Sequence, residues 1–153
     1  MNNTIGNHLG ARRIEARAAA DDEVLAFWAK AVTAYGDATN PSSSLENRLL
    51  RAYDAARIAA YALVRSAGYR TRGSDSHHYV TFDVARSVVA DSELRGALDD
   101  MNGFRKVRHA VEYEAEDDAD EHNVGVACHL AERVISLGAR HLRAQRPNLA
   151  LPQ

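Results

Sequence analysis

The chain has 153 residues, 46% of them hydrophobic and 26% charged, with a net charge of −2 at neutral pH. This is the composition of one globular domain, long enough to bury about 70% of the surface its unfolded chain exposes. The charge balance excludes a global basic field, so any nucleic-acid surface has to be a local cluster.

The opening MNNTIGNHLGARR is polar and lacks the apolar core of a signal peptide. No run approaches the ~20 apolar residues of a membrane span, so the expectation is a cytoplasmic protein with no membrane contact. Residues 1–12 read as a flexible N-terminus, 13–146 as one helical bundle domain, and 147–153 as a C-terminal tail.

Val24, Trp28, Ala31 and Tyr35 recur at helical spacing, which predicts a helix from about Arg13 to Tyr35. GDATNPSSS breaks it, and Ser43 or Ser44 can cap the next helix. That second helix, LENRLLRAYDAARIAAYALVRSAG, carries an apolar seam of Leu49, Tyr53, Ala56, Ala60, Leu63 and Ala67. Arg48, Arg51, Asp54 and Arg65 lie off the seam, and Gly68 is placed to end the helix. A basic polar connection, YRTRGSDSHH, follows.

A short helix is expected from about Tyr79 to Ala90, although HHYVTF alone also fits a strand. Asp91 or Ser92 starts a longer one through EYEA, with Gly103 bending it. EYEAEDDADE packs seven acids into ten positions, from Glu112 to Glu121, and reads as a solvated turn or as a screen against general polyanions near the arginines. The last helix, about Glu121 to Gln145, uses Val124, Ala127, Ala131, Val134 and Gly138 as its seam. It holds the lone cysteine, Cys128, which rules out an intramolecular disulfide. With no metal-like partner spacing, that thiol reads as a small buried hydrophobe. Helices of this size with short links and no convincing strand pair predict an all-α fold, an antiparallel four- to five-helix bundle.

The chemistry concentrates in GFRKVRHAVEY, residues 103–113. At 100° per residue, Phe104, Val107, Ala110 and Val111 share the apolar arc. Arg105, Arg108, His109, Glu112 and Tyr113 spread over the other side. Arg108 and Glu112 are i, i+4, a spacing that ordinary solvated helix faces also use. Two arginines on one face can equally grip a phosphate, since guanidinium forks match its oxygens, and an adjacent histidine can move a proton near neutral pH.

The pattern Arg105-x-x-Arg108-His109-x-x-Glu112-Tyr113, within a helical chain of this length, resembles the HEPN domain superfamily. AARIAAYALVRSAG and GSDSHHYVTF resemble one branch of it, so the likeness spans roughly residues 45–145. The resemblance implies an all-α homodimer with the motif helices facing each other. Many such proteins are metal-independent ribonucleases of toxin–antitoxin or defence systems; others bind RNA or nucleotides, or assist a partner such as a nucleotidyltransferase-type antitoxin. No cofactor is implied.

Carried over, Arg108 is the motif arginine and His109 the polar residue after it. The motif's histidine position holds Tyr113 instead, a poor general base because a phenol ionises near pH 10. The resemblance thus makes Arg108, His109 and Tyr113 the catalytic candidates, and Arg105, Arg108, Glu112, His77 and His78 the phosphate-binding ones.

His77 and His78 read either as a helix-start pair or as a loop lending an imidazole to the arginine face. Arg72 and His77 also match the motif spacing, but in a connection rather than a helix. Two other classes stay open. One is a non-catalytic interaction module. The other is a metal-binding bundle around His122, His129, Asp118 and Glu121, although no histidine follows a glutamate by three residues as a di-iron bundle wants. No metal ligand set is expected.

Overall fold

The computed structural model describes residues 3–72, 78–113 and 119–152. They form α1 (Thr4–Gly10), β1 (Ile14–Ala16), α2 (Asp21–Ala38), α3 (Leu45–Ser66) and β2 (Tyr69–Thr71), then α4 (His78–Val88), α5 (Ser92–Gly103), α6 (Arg105–Tyr113) and α7 (Glu121–Gln145). The protein is mostly helical, as its periodicity predicts. No described helix is long and apolar enough to cross a membrane.

α3 is the centre. Ala52, Ala55, Ala56, Ala59, Ala60 and Ala62 are all fully buried and share one broad face of the helix. Alanine has the highest helix propensity and the least bulk, so α2, α4 and α7 can pack closely against α3. The Ser44 side chain caps its start by accepting from Asn47 N–H at 3.0 Å. Gly68 ends it in the left-handed region, φ +93°, where a Cβ is disfavoured. α7 approaches the core through Gly138, where a Cβ would fall 2.9 Å from the Trp28 ring.

Four sequence expectations change. The stretch 13–20 is not the start of a helix: Ile14–Ala16 pairs antiparallel with Tyr69–Thr71, Ile14 opposite Thr71, so a short strand pair exists. Periodicity over 24–35 gave no information about the residues ahead of it, and the pairing partner lies more than fifty positions away. Within the span read as a flexible terminus, Thr4–Gly10 is helical and His8 is buried. His8 Nδ1 accepts from Arg13 Nε at 2.7 Å, which leaves Nε2 to donate to Asp83 Oδ2 of α4 at 2.7 Å. Arg65, off the apolar seam, is nevertheless only 3% exposed. The N-terminal segment covers it, and it donates to the carbonyls of Arg17 and Tyr69, both at 2.8 Å, and to Glu23.

The single long helix expected from Asp91 through EYEA is broken at Phe104 into α5 and α6. Asp91 caps α5, accepting from the N–H groups of Glu93 and Leu94. From His78 on, the stretch HHYVTF is helical and opens α4.

Candidate functional site

α6 has too few apolar residues to bury itself alone, and it rests on two hydrophobic groups. Phe104 packs against the main core; Val107 and Val111 join a smaller cluster with Leu49, Ala119 and Val124. Fixing that apolar arc fixes the rest of the helix by its 100° step. Arg108, next to the arc, turns toward α3. Arg105 turns toward the start of α4.

Each arginine lies over a tyrosine from another element. Arg108 Cζ is 5.5 Å from the centroid of Tyr53 on α3, and Arg105 Cζ is 5.6 Å from that of Tyr79 on α4. At these distances ring quadrupole and guanidinium attract, more strongly where water is excluded. Tyr53 is completely buried, and its hydroxyl lies 3.5 Å from His78 Nδ1. Burial pushes its phenol up to about 12, against the opposite pull of Arg108, Arg57 and Arg105. At neutral pH the hydroxyl therefore stays protonated and serves as a hydrogen-bonding group, not a base.

Two carboxylates partly neutralise these cations. Glu112 Oε2 is 2.8 Å from Arg108 Nη1, and Asp54 Oδ1 is 3.6 Å from Arg57 Nη2. Even so, the Nε atoms of Arg57 and Arg108 are buried without a hydrogen-bond partner among the described residues, as is Asn102 Oδ1. Buried polar groups are nearly always paired, so unspent donors beside a cationic cluster mark a place suited to an anion.

Of the candidates read from sequence, Arg105, Arg108 and His78 come together around Tyr53 and Tyr79. Glu112 reaches the same place through its carboxylate, which pairs with the Arg108 guanidinium. His109 and Tyr113 sit on the opposite flank of α6, both exposed, with ring centroids 4.9 Å apart. His77, and with it the Arg72/His77 spacing, lies outside the described residues, as does Asp118. His122 and His129 are exposed on α7, and among the described residues no three His, Cys, Asp or Glu side chains gather as a metal site. Cys128 is half-buried, bonded to the Ala38 carbonyl at 3.6 Å, with burial pushing its thiol up.

Sequence reading missed Tyr53, Tyr79 and Arg57. Tyr53 was legible only as a core position. The available signal was Arg57 one turn beyond it, a cation at i+4 from an aromatic on a helix otherwise lined with alanine.

No family model, curated protein or solved structure matches the chain.

Proposed function

We propose that this is a HEPN-like helical protein that binds the phosphate of an RNA or nucleotide at the junction of α3, α4 and α6. Arg105 and Arg108 provide the charge, and His78 is the nearest imidazole. The supporting observation is that Arg108 and Arg105 lie over Tyr53 and Tyr79 of two neighbouring helices, with the Nε atoms of Arg57 and Arg108 unspent. A phosphate would take the fork of Arg108 from Glu112, exchanging a surface carboxylate pair for a charge-assisted bidentate contact.

The reading is one of binding. Cleavage by the RNA's own 2′-hydroxyl needs a proton acceptor at the scissile phosphate, and the motif's position for it holds Tyr113 on the far flank. Fluorescence anisotropy with single-stranded RNA, run across a salt series, tests the proposal. Wild type should bind with an affinity that falls as salt rises, and Arg108→Ala should weaken binding and flatten the slope by about one contact. Salt-independent binding, or equal affinity in both proteins, refutes it. Incubation of labelled RNA with wild type and Arg108→Ala separates binding from ribonuclease activity; Arg108-dependent cleavage would move the protein into the enzyme class.

A second reading, the non-catalytic member of a protein pair, draws on the other flank of α6. There Tyr113 is 66% exposed, a large aromatic whose ring lies beside that of His109. The HEPN resemblance puts a second copy at that helix. Sedimentation across a concentration range, with Tyr113→Ala beside wild type, is the check: a monomer throughout ends the homodimer version.

A further inference from the structure

The two arginines of α6 are three residues apart and both lie on tyrosines, yet their surroundings differ. Arg108 is laid over a completely buried ring, its side chain is 24% exposed, and its edge is engaged by Glu112. Only the N–H edge of that guanidinium is in a position to meet a ligand. Arg105 is exposed, and the ring beneath it, Tyr79, is itself 36% exposed. Its Nε donates to the Asn102 carbonyl at 3.2 Å, which anchors the plane through one edge. The ring of His8 lies 6.3 Å from that of Tyr79, tilted by 57°, and is held in turn by Arg13 and Asp83. Tyr79 thus carries Arg105 and neighbours the N-terminal helix.

An exposed guanidinium plane backed by an aromatic ring is a stacking surface. Planar arginine stacks on π-systems where a lysine ammonium cannot, and nucleobases stack on such surfaces with little regard to sequence. Resting on the phosphate reading of Arg108 given above, we propose that Arg105 and Tyr79 form a base-stacking subsite. The ligand is then a nucleotide unit with an unpaired base, its phosphate at Arg108 and its base on the Arg105–Tyr79 platform. Arg108 supplies charge-paired hydrogen bonds; Arg105 supplies a plane. A duplex, whose bases are already stacked, would not use the platform.

The test compares two small probes by isothermal titration: adenosine monophosphate, and ribose 5-phosphate, which carries the same phosphate and no base. Wild type should bind the nucleotide at least about fivefold more tightly, the lower end of what one stacked base contributes. Arg105→Lys keeps the charge and removes the plane, so it should bring the two affinities together; Tyr79→Ala should do the same. Tyr79→Phe keeps the ring, should preserve the preference, and guards against misfolding in the alanine variant. Arg108→Ala should weaken both probes by a similar factor and leave their ratio alone. Equal affinities in wild type, an unchanged ratio in Arg105→Lys, or loss of the ratio in Tyr79→Phe overturns the stacking subsite while leaving the phosphate site standing. If wild type binds neither probe, both fall.

Discussion

Two groups of arginines in this protein look alike in sequence and differ in how their donors are used. Arg65 and Arg146 are clamps. Arg65 spends its guanidinium on Glu23 and on the carbonyls of Arg17, Ala18 and Tyr69. Arg146 spends its own on Asp21, the Ser66 hydroxyl and the carbonyls of Ala19 and Ser66. Both tie the segment leading into α2 to the C-terminal end of α3, Arg65 through Arg17 and Ala18, Arg146 through Ala19 and Asp21. Arg105 and Arg108 lie over ring faces, Arg57 and Arg108 each pair with one carboxylate, Arg105 donates to one carbonyl, and Arg57 and Arg108 keep Nε unspent. Saturated donors mark scaffold; the unspent donors are what the proposed phosphate site rests on.

That contrast can be broken by mutation, and the largest expected effect is on the scaffold side. Arg65→Ala leaves Glu23 and several carbonyls without their partner and should cost about 2–3 kcal/mol of stability, the size of several lost charge-assisted hydrogen bonds whose acceptors water can partly reach. Thermal or urea denaturation measures it; a loss under about 1 kcal/mol would remove the distinction.

Next in size is an effect of pH through Tyr53. Its phenol is pushed up to about 12 in the folded protein, chiefly by burial. The unfolded chain therefore releases this proton first. Stability is whole below the ordinary tyrosine pKa of about 10 and is lost as pH rises toward 12. Tyr53→Phe should remove part of that alkaline fall; an unchanged urea midpoint profile from pH 9 to 12 would contradict the assignment.

On the site side, Arg108→Ala should lower RNA affinity about tenfold or more while changing stability by less than about 1 kcal/mol. An effect in the reverse order, large on stability and absent in binding, would turn Arg108 into another clamp. The smallest effect belongs to Glu112→Gln, which frees the fork of Arg108. RNA should bind about two- to fivefold more tightly, the size of one partly exposed ion pair. Glu46→Gln, an equal charge change on an exposed site in the first turn of α3, should leave affinity unchanged; equal gains in both would mean bulk charge, not competition.

Much of the fold was legible because it depends on local period. α7 runs from Glu121 to Gln145 as its seam predicts, and all five seam residues, Val124 through Gly138, are buried. α3 has the expected cap at Ser44 and the expected stop at Gly68. The N-terminal third was less legible. β1 and β2 are three residues each and exist only because they find each other, and a three-residue strand is too short to leave a period of two. For the site, helix geometry in GFRKVRHAVEY was enough to separate Arg105 and Arg108 from Phe104, Val107, Ala110 and Val111. It could not separate the two polar flanks, because only the packing of α6 decides which one faces α3 and α4.

By itself, the sequence determined α3 and α7, the cap of α3 and the face of α6 that carries charge, since each follows from residues within a few turns of one another. Tertiary structure alone decided that Arg65 is buried and Arg105 exposed, that Tyr53 and Tyr79 lie beneath the two arginines, and that His78 joins them while His109 and Tyr113 do not. Those outcomes depend on which distant elements meet. A guanidinium has the same composition everywhere; its role is set by how many of its donors the surrounding fold has already used.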